Sequence, residues 1–431
     1  MPSFIVAAPT SGAGKTMVTA ALIAALRARG HEIEPAKVGP DYIDPAFLAV
    51  AAGRDAINID LWAMREALVS ALTASDDLVV EGVMGLFDGP SSGKGSTADV
   101  AKTLGLPVVL VADASRQSHS VGALIHGFAT FDKDVRVAGV VFNRVASARH
   151  EAMLRDGAAR AGVPVFGAIG RDDDLAVAER HLGLVQAREH ADLAERLANA
   201  AARVAETVDL SALEALRRGG EASVSDAALA LPPLGQRIAV ASDAAFAFAY
   251  PHVLAGWRAA GAELLPFSPL GDEAPDPSAD AVYLPGGYPE LHAGALAAAR
   301  TWKDGMGAAA ARGAVIYGEC GGYMALGQAL TDADGVCHAM AGLLPHATSF
   351  AVRRRTLGYR RLRSLTPLLP EVLRGHEFHR ATLTGAEGAP LFEAADTAGA
   401  PLPAMGSQAG RVFGSFAHLI DHAVEGNGQD D

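Results

Sequence analysis

Over the first 170 residues, short runs of apolar residues are each followed by a longer stretch with apolar positions three or four apart. "FIVAAP", "EIEPAKV", "DDLVVEG", "PVVLVAD", "VRVAGVVFN" and "PVFGAIG" read as strands, and 15 to 29, 118 to 130 and 148 to 162 as helices between several of them. Continuously apolar strands separated by amphipathic helices predict a parallel sheet covered on both faces. From about 190 to 235 the rhythm changes to an Ala/Glu/Arg-rich helical stretch and then to "RRGGEASVSDAALALPPLGQ", whose Gly, Ser and Pro content and weak periodicity mark a linker. The strand–helix rhythm resumes with "RIAVASD", "AELLPFS", "DAVYLPGG" and "GAVIYGEC". Two α/β domains are expected, over 1–195 and 237–431, with a linker over 196–236 and no internal repeat.

Composition narrows the class. Half of the 431 residues are hydrophobic and 20% are charged, which suits packed globular domains. The net charge of -13 argues against nucleic acid as a partner, and means that an anionic ligand needs local cations or helix N-termini. Two cysteines, Cys320 and Cys337, make no disulfide framework and suit a reducing cytosol. The chain opens on a strand-like "SFIVAAP" rather than on a signal peptide, and no stretch approaches the roughly 20 apolar residues of a membrane span. A soluble cytoplasmic protein, with no membrane partner, is expected.

The first turn carries candidate chemistry. "TSGAGKT" lies between a strand and a helix that Gly30 ends, and nearly spells the G-x-x-x-x-G-K-[ST] phosphate loop. Pro9 stands where the first glycine would be, but Gly12, Gly14, Lys15 and Thr16 are in place. Such a turn aims backbone N–H groups and the positive end of a helix at phosphates, with Lys15 on the terminal phosphates and the Thr16 hydroxyl on Mg²⁺. Polar residues gather at other strand ends: Lys37, Asp41 and Asp44 in "KVGPDYIDP", Glu81 and Asp88 in "EGVMGLFDG", and Asn143 in "VFNRV". Ligands of doubly wound sheets bind beyond those ends, and hard carboxylate oxygens there suit Mg²⁺.

In the second half, Gly318-Glu319-Cys320-Gly321-Gly322 places a cysteine on a tight strand-to-helix turn, the form of a nucleophile elbow, where a helix N-terminus would lower the thiol pKa. Cys337 has no such setting. Backbone N–H groups around Gly286 and Gly287 in "LPGGYPE" could form an oxyanion hole. For the base, His376, His379 and His418 all qualify on composition.

Across nearly its whole length the chain resembles the cobyrinic acid and hydrogenobyrinic acid a,c-diamide synthase family. The resemblance rests on "SGAGKT", "KVGPDYIDP", "NIDLW", "EGVMGLFDG", "GSTADVAK", "VVFNRV", "RHLGLV", "LPGGYPE", "GECGGYM", "LGYR", "GHEFHR" and "GSFAHL" in order. "KVGPDYIDP" with "EGVMGLFDG" separates it from cobyric acid synthases. The resemblance implies a first domain like dethiobiotin synthetase and a second like a class I glutamine amidotransferase. It puts the nucleophile on Cys320 and its activating base on His418. It also implies Mg²⁺ ligands at Thr16 and Glu81, Asn143 near the adenine, and Asp41, Asp44 and Asp88 in the cleft for substrate and nucleotide; their place at the strand ends adds Asp44 to the candidate Mg²⁺ ligands and Lys37 to the substrate side. Class I amidotransferases usually carry Glu two residues after the histidine; here that position is Ile420, followed by Asp421, so a Cys–His pair is implied.

The chemistry implied is ATP-dependent formation of an acyl phosphate on a substrate carboxylate, then attack by ammonia that Cys320 releases from glutamine. Done on the a and c acetate groups of a corrinoid, it yields the diamide; a homodimer is compatible with such a fold. "AVRRRTLGYRRLRS" (351 to 364) holds six arginines, either as anchors for the other carboxylates of the ring or as an ordinary set of ion pairs. Other readings remain open on the residues alone: amidation of another tetrapyrrole, such as a nickel sirohydrochlorin or a cobyric acid precursor, a non-catalytic ATP-binding regulatory module, or a cysteine hydrolase indifferent to ATP.

Overall fold

A computed structural model describes residues 2–175, 179–180, 183–219, 229–352, 354–385 and 388–423. The chain forms two compact units. In the first, seven parallel strands lie in the order β3-β2-β4-β1-β5-β6-β7. They are β1 (Phe4–Ala7), β2 (Glu34–Val38), β3 (Ile57–Ile59), β4 (Leu78–Glu81), β5 (Val108–Asp113), β6 (Val137–Val145) and β7 (Val165–Gly170). Six match the apolar runs of the sequence. β3, which overlaps the start of "NIDLW", is only three residues long and has no apolar run to announce it. β1, at the centre, is buried throughout, which is why its sequence shows no polar alternation.

Helix α1 (Lys15–Ala28) follows β1 directly. It packs against α2 (Asp44–Ala52) and the helix Leu193–Thr207, burying Met17, Leu22, Ile23 and Leu26. The Leu193–Thr207 helix reaches into the stretch 196–236 expected as linker. Its Leu197, Ala200, Ala201 and Val204 are buried and it packs on α1, so the Ala/Glu/Arg-rich part of that stretch contributes to packing within the first unit. The Gly/Ser part, 220–228, lies outside the described residues.

The second unit holds a six-stranded sheet in the order Glu263–Phe267, Arg237–Ala241, Ala281–Leu284, Val315–Glu319, Val412–Ser415 and Ser407–Ala409, parallel except for the last pair. Leu284, Ile316, Trp302, Met306, Tyr323 and Leu326 belong to its core. A five-stranded antiparallel sheet adds Pro401–Met405, Phe392–Ala395, Thr356–Ser364, Val372–His379 and Ala417–His422 in that order. The residues of Ala63–Leu68 also cluster with this unit. There, Arg65 donates from Nε and Nη2 to both oxygens of the buried Asp421, at 2.9–3.1 Å. Among the described residues no helix is long and apolar enough to cross a membrane.

Candidate active sites

In the first unit, the turn after β1 has the geometry expected of a phosphate loop. Gly14 caps α1 in the left-handed region (φ 87°), and a Cβ there would lie 2.5 Å from the Asn143 amide nitrogen, so glycine is required on both counts. Behind the loop, Asn143 Nδ2 donates to Ala13 O (3.0 Å) and Arg144 Nη1 to Gly12 O (3.0 Å). Asn143 therefore sits at the base of the loop as a brace, and Arg144, held at φ 60°, joins it.

The charged residues predicted at the strand ends come together. Thr16 Oγ1 donates to Glu81 Oε1 (2.7 Å), and Lys37 Nζ lies 3.0 Å from the same oxygen and 2.6 Å from Asp44 Oδ2. Lys15 Nζ donates to Met84 O (2.6 Å) and Thr10 O (3.3 Å). Met84, at φ 46°, turns its carbonyl onto the lysine, a contact that no sequence motif signals. Asp41 Oδ1 accepts from Ile43 N and Asp44 N and so starts α2, while Asp88 Oδ2 accepts from Gly85 N. Those two carboxylates shape their loops first.

Electrostatics follow from crowding. Burial and the nearby Lys37 lower Lys15 to about 8. Burial, with Asp44 adding to it, raises Glu81 to about 7 against the opposing pull of Lys37. Burial and Asp44 raise Asp41 to about 6. For Lys37, burial works against the charge, but Asp44, Glu81 and Asp41 outweigh it and hold the ammonium well above its ordinary range. Glu81 Oε2 is buried and accepts no hydrogen bond among the described residues, which leaves a hard carboxylate oxygen uncommitted. The described residues hold no cluster of three or more His, Cys, Asp or Glu suited to a metal. Such a donor set fits Mg²⁺ as it binds with nucleotides, through one or two carboxylates plus phosphate and water oxygens.

In the second unit, Cys320 ends the strand Val315–Glu319 at φ 46°, ψ -101°, a conformation costly for a residue with a Cβ. The turn is held by Cys320 N–H donating to Ser415 O (2.8 Å), and by Gly322, where any Cβ would lie 1.9 Å from Leu284 O. Here the structure corrects one expectation. Burial, reinforced by the carboxylates of Glu290 and Glu377, pushes the thiol well above its ordinary range and outweighs the Gly321 N–H that favours the thiolate. Cys320 rests as a thiol, so to act as the expected nucleophile it would need a base.

Of the three candidate bases, His418 flanks Gly286 together with the nucleophile: a Cβ on that glycine would lie 2.7 Å from His418 Nε2 and 3.3 Å from Cys320 Cβ. His379 bonds Glu377 Oε1 (2.9 Å) and the Ala381 carbonyl (3.1 Å). His376 faces His418 across the strand pair, and burial, His418 and Arg360 depress it to about 3. Asp421, the acid nearest to the usual triad position, is committed to Arg65. Gly287 N lies 2.9 Å from where a Gly321 Cβ would stand, so both halves of the predicted oxyanion site border the elbow.

The arginine run divides. Arg360 pairs with the buried Glu377 (2.6 Å), Arg361 donates to Thr397 O (3.1 Å), and Arg363 reaches Glu371 and Glu393. Arg354 and Arg355 are exposed, and Arg353 lies outside the described residues.

Comparison with known proteins matches both halves. A CobQ/CobB/MinD/ParA nucleotide binding domain covers residues 4–185, and a CobB/CobQ-like glutamine amidotransferase domain covers residues 237–425. The pair defines an amide-forming ligase that combines nucleotide binding with glutamine as nitrogen source. The chain is 54% identical over 438 residues to the hydrogenobyrinate a,c-diamide synthase of Brucella suis biovar 1 (strain 1330), with 99% of this chain and 100% of that protein covered. It is 54% identical over 432 residues to that of Rhizobium meliloti (strain 1021), covering 98% and 99%, and 51% identical over 434 residues to that of Mesorhizobium japonicum (strain LMG 29417 / CECT 9101 / MAFF 303099), again covering 98% and 99%. The chain belongs to the hydrogenobyrinate a,c-diamide synthase family.

Proposed function

We propose that this protein amidates the a and c acetate carboxylates of hydrogenobyrinic acid in cobalamin biosynthesis, with ATP as activator and glutamine as nitrogen donor. The observation that carries the reading is one chain holding both a phosphate loop ringed by Lys15, Thr16, Lys37 and Glu81 and a strained cysteine elbow flanked by a buried histidine. The names of the relatives favour the cobalt-free ring over cobyrinic acid. The reaction belongs in the cytoplasm, where the free thiol of Cys320 stays reduced.

In the first unit, the loop amides at Gly12 and Gly14 and the Lys15 ammonium hold the nucleotide phosphates. Thr16 and Glu81, with Asp44 nearby, would hold Mg²⁺, which would supply charge neutralisation at the phosphates. Lys37, Asp41, Asp44 and Asp88 line the substrate side. Asn143 braces the loop through its bond to Ala13 O, and the second N–H of its amide would serve the adenine beside the loop. A substrate carboxylate oxygen attacks the γ-phosphorus, giving an acyl phosphate and ADP. In the second unit, Cys320 Sγ passes its proton to His418 and attacks the glutamine amide carbon. The oxyanion rests on N–H groups at Gly286 and Gly287, His418 returns the proton to the departing ammonia, and water hydrolyses the thioester. Ammonia then displaces phosphate from the acyl phosphate.

Mass spectrometry with ATP, Mg²⁺ and glutamine, offering hydrogenobyrinic and cobyrinic acids separately, tests this. Two carboxyl-to-amide mass changes on the cobalt-free ring are expected; two on cobyrinic acid alone would reassign the substrate, and none on either would send the search to other tetrapyrroles.

Two further expectations attach to the reading. Because Glu81 stands at about 7, it must lose a proton to ligate Mg²⁺, so Mg²⁺-dependent nucleotide binding weakens about tenfold per pH unit below that value. Above about 8 the affinity declines again as Lys15 loses its charge. Titration calorimetry in buffers of different ionisation enthalpy should register the released proton; an affinity flat across both values would refute the Glu81 assignment. Second, replacing the exposed Arg354 and Arg355 together by Glu should raise the corrinoid KM by roughly 10- to 100-fold, the worth of a charge-assisted hydrogen bond. Arg363→Glu, whose partners are carboxylates of its own sheet, serves as the control. An unchanged KM in the double variant would remove the run from the substrate site.

A further inference from the structure

The histidine at the cysteine elbow has no acidic residue two positions after it, and Asp421 is bound by Arg65. A buried imidazole that must take a proton from a thiol and return it to ammonia still needs its tautomer fixed and its charged form compensated. The structure supplies a carboxylate from the opposite direction along the chain.

Glu319, the residue before the nucleophile, is 2% exposed and turns back beneath the elbow. Its Oε1 accepts from Tyr317 Oη (2.9 Å) and from Leu419 N–H (3.0 Å), and its Oε2 accepts from Tyr283 Oη (2.7 Å). That same Oε2 lies 3.5 Å from His418 Nδ1. The other edge of the ring faces Gly286 and Cys320. Nδ1 of His418 thus lies toward the carboxylate, while its Cε1–Nε2 edge and Cys320 Cβ border the same glycine.

From this geometry we propose that Glu319 is the positioning residue of the glutamine-cleaving site, holding His418 with its proton on Nδ1 so that Nε2 is free to receive the Cys320 proton. The inference rests on the Cys320–His418 reading given above. Glu319 takes no proton itself; it accepts the Nδ1–H bond and balances the imidazolium while that exists. Three donors from three strands pin the carboxylate, so its orientation does not depend on the histidine. The distance of 3.5 Å is long for a hydrogen bond, as such bonds often are before substrate binds. The triad logic is preserved, but the acid arrives from the residue before the nucleophile instead of from the residues after the base. The other titratable groups packed around His418 are Cys320, His376 on the adjacent strand and Tyr250, whose ring meets it edge-on at 6.3 Å. Glu377, beside His376, is paired with Arg360 and His379.

The test compares full-length Glu319→Gln and Glu319→Asp with His418→Ala, using glutamine and then free ammonia as nitrogen source. Glu319→Gln should lower glutamine-dependent kcat by roughly 100-fold or more, with the glutamine KM little changed and ammonia-dependent amidation intact. Glu319→Asp should recover part of the loss. Removing the anion makes the imidazolium easier to deprotonate, so the limb of the kcat/KM profile that reports His418 should move to lower pH. A Glu319→Gln enzyme within about threefold of wild type overturns the proposal, as does a loss of rate with that limb unmoved, which a merely structural carboxylate would give. If His418→Ala itself keeps glutamine-dependent turnover, the underlying base assignment fails, and the proposal with it.

Discussion

Cys320→Ala is expected to abolish amidation with glutamine, by roughly 10⁴-fold or more, while leaving amidation with free ammonia near the wild-type rate. The asymmetry follows from the division of labour. The thiol forms the only covalent bond to glutamine, and its removal leaves the oxyanion donors and His418 with no nucleophile to assist. The acyl phosphate, by contrast, is made by residues of the first unit that Cys320 does not touch, so ammonia from solution can still complete the amide. Alanine fits the site: Cys320 is buried, the change removes one atom, and the strained φ of 46° is no worse for alanine than for cysteine. Loss of both activities in a folded variant would mean that Cys320 acts on the corrinoid or the nucleotide instead. Retention of both would place the glutaminase elsewhere.

Lys15→Met should give the converse pattern. Glutamine- and ammonia-dependent amidation should both fall by roughly 10²–10³-fold, the cost of removing one preorganised charge-stabilising group from a transition state. Alkylation of Cys320 by a glutamine-like electrophile should be unaffected. Methionine preserves the volume of a side chain only 7% exposed, so the variant should fold, although the bonds to Met84 O and Thr10 O are lost. Single-turnover ADP release, measured without any nitrogen source, separates a defect in phosphoryl transfer from one in amide formation. If ADP release stayed at the wild-type rate, Lys15 would not be the phosphate-stabilising group.

The parts of this molecule that could be read from sequence are those where chemistry and backbone geometry demand the same residue. Gly14 must be glycine for its φ and for the Asn143 amide above it, and so the loop survives in the sequence despite Pro9. Gly322 must be glycine because Leu284 O leaves no room, and so the elbow is visible. The buried central strands show as apolar runs because both faces are covered. The antiparallel sheet of the second unit was not legible: Thr356–Ser364 carries Arg360 and Arg363, whose carboxylate partners Glu377, Glu371 and Glu393 lie outside that strand, so no alternation marks it. The Lys37–Asp44–Glu81 contacts could be anticipated as a group at the strand ends, but not the way Lys37 is shared between two carboxylates. Glu319 was passed over for a different reason. A triad acid is sought by its spacing from the histidine, and 99 residues of chain separate Glu319 from His418, a distance that only the fold closes. The raised thiol pKa was equally hidden, because Glu290 and Glu377 approach Cys320 through space.

The central claim is that ATP activates a substrate carboxylate as an acyl phosphate and that the nitrogen placed there comes from glutamine cleaved at Cys320. The most direct measurement offers hydrogenobyrinic acid with ¹⁸O in its acetate carboxylates, together with ATP, Mg²⁺ and glutamine carrying ¹⁵N in its amide. The account predicts that every amide formed contains ¹⁵N and that each is accompanied by one inorganic phosphate carrying ¹⁸O. Labelled amides accompanied by phosphate free of ¹⁸O would contradict the acyl phosphate, and labelled phosphate with amides lacking ¹⁵N would contradict glutamine as the source.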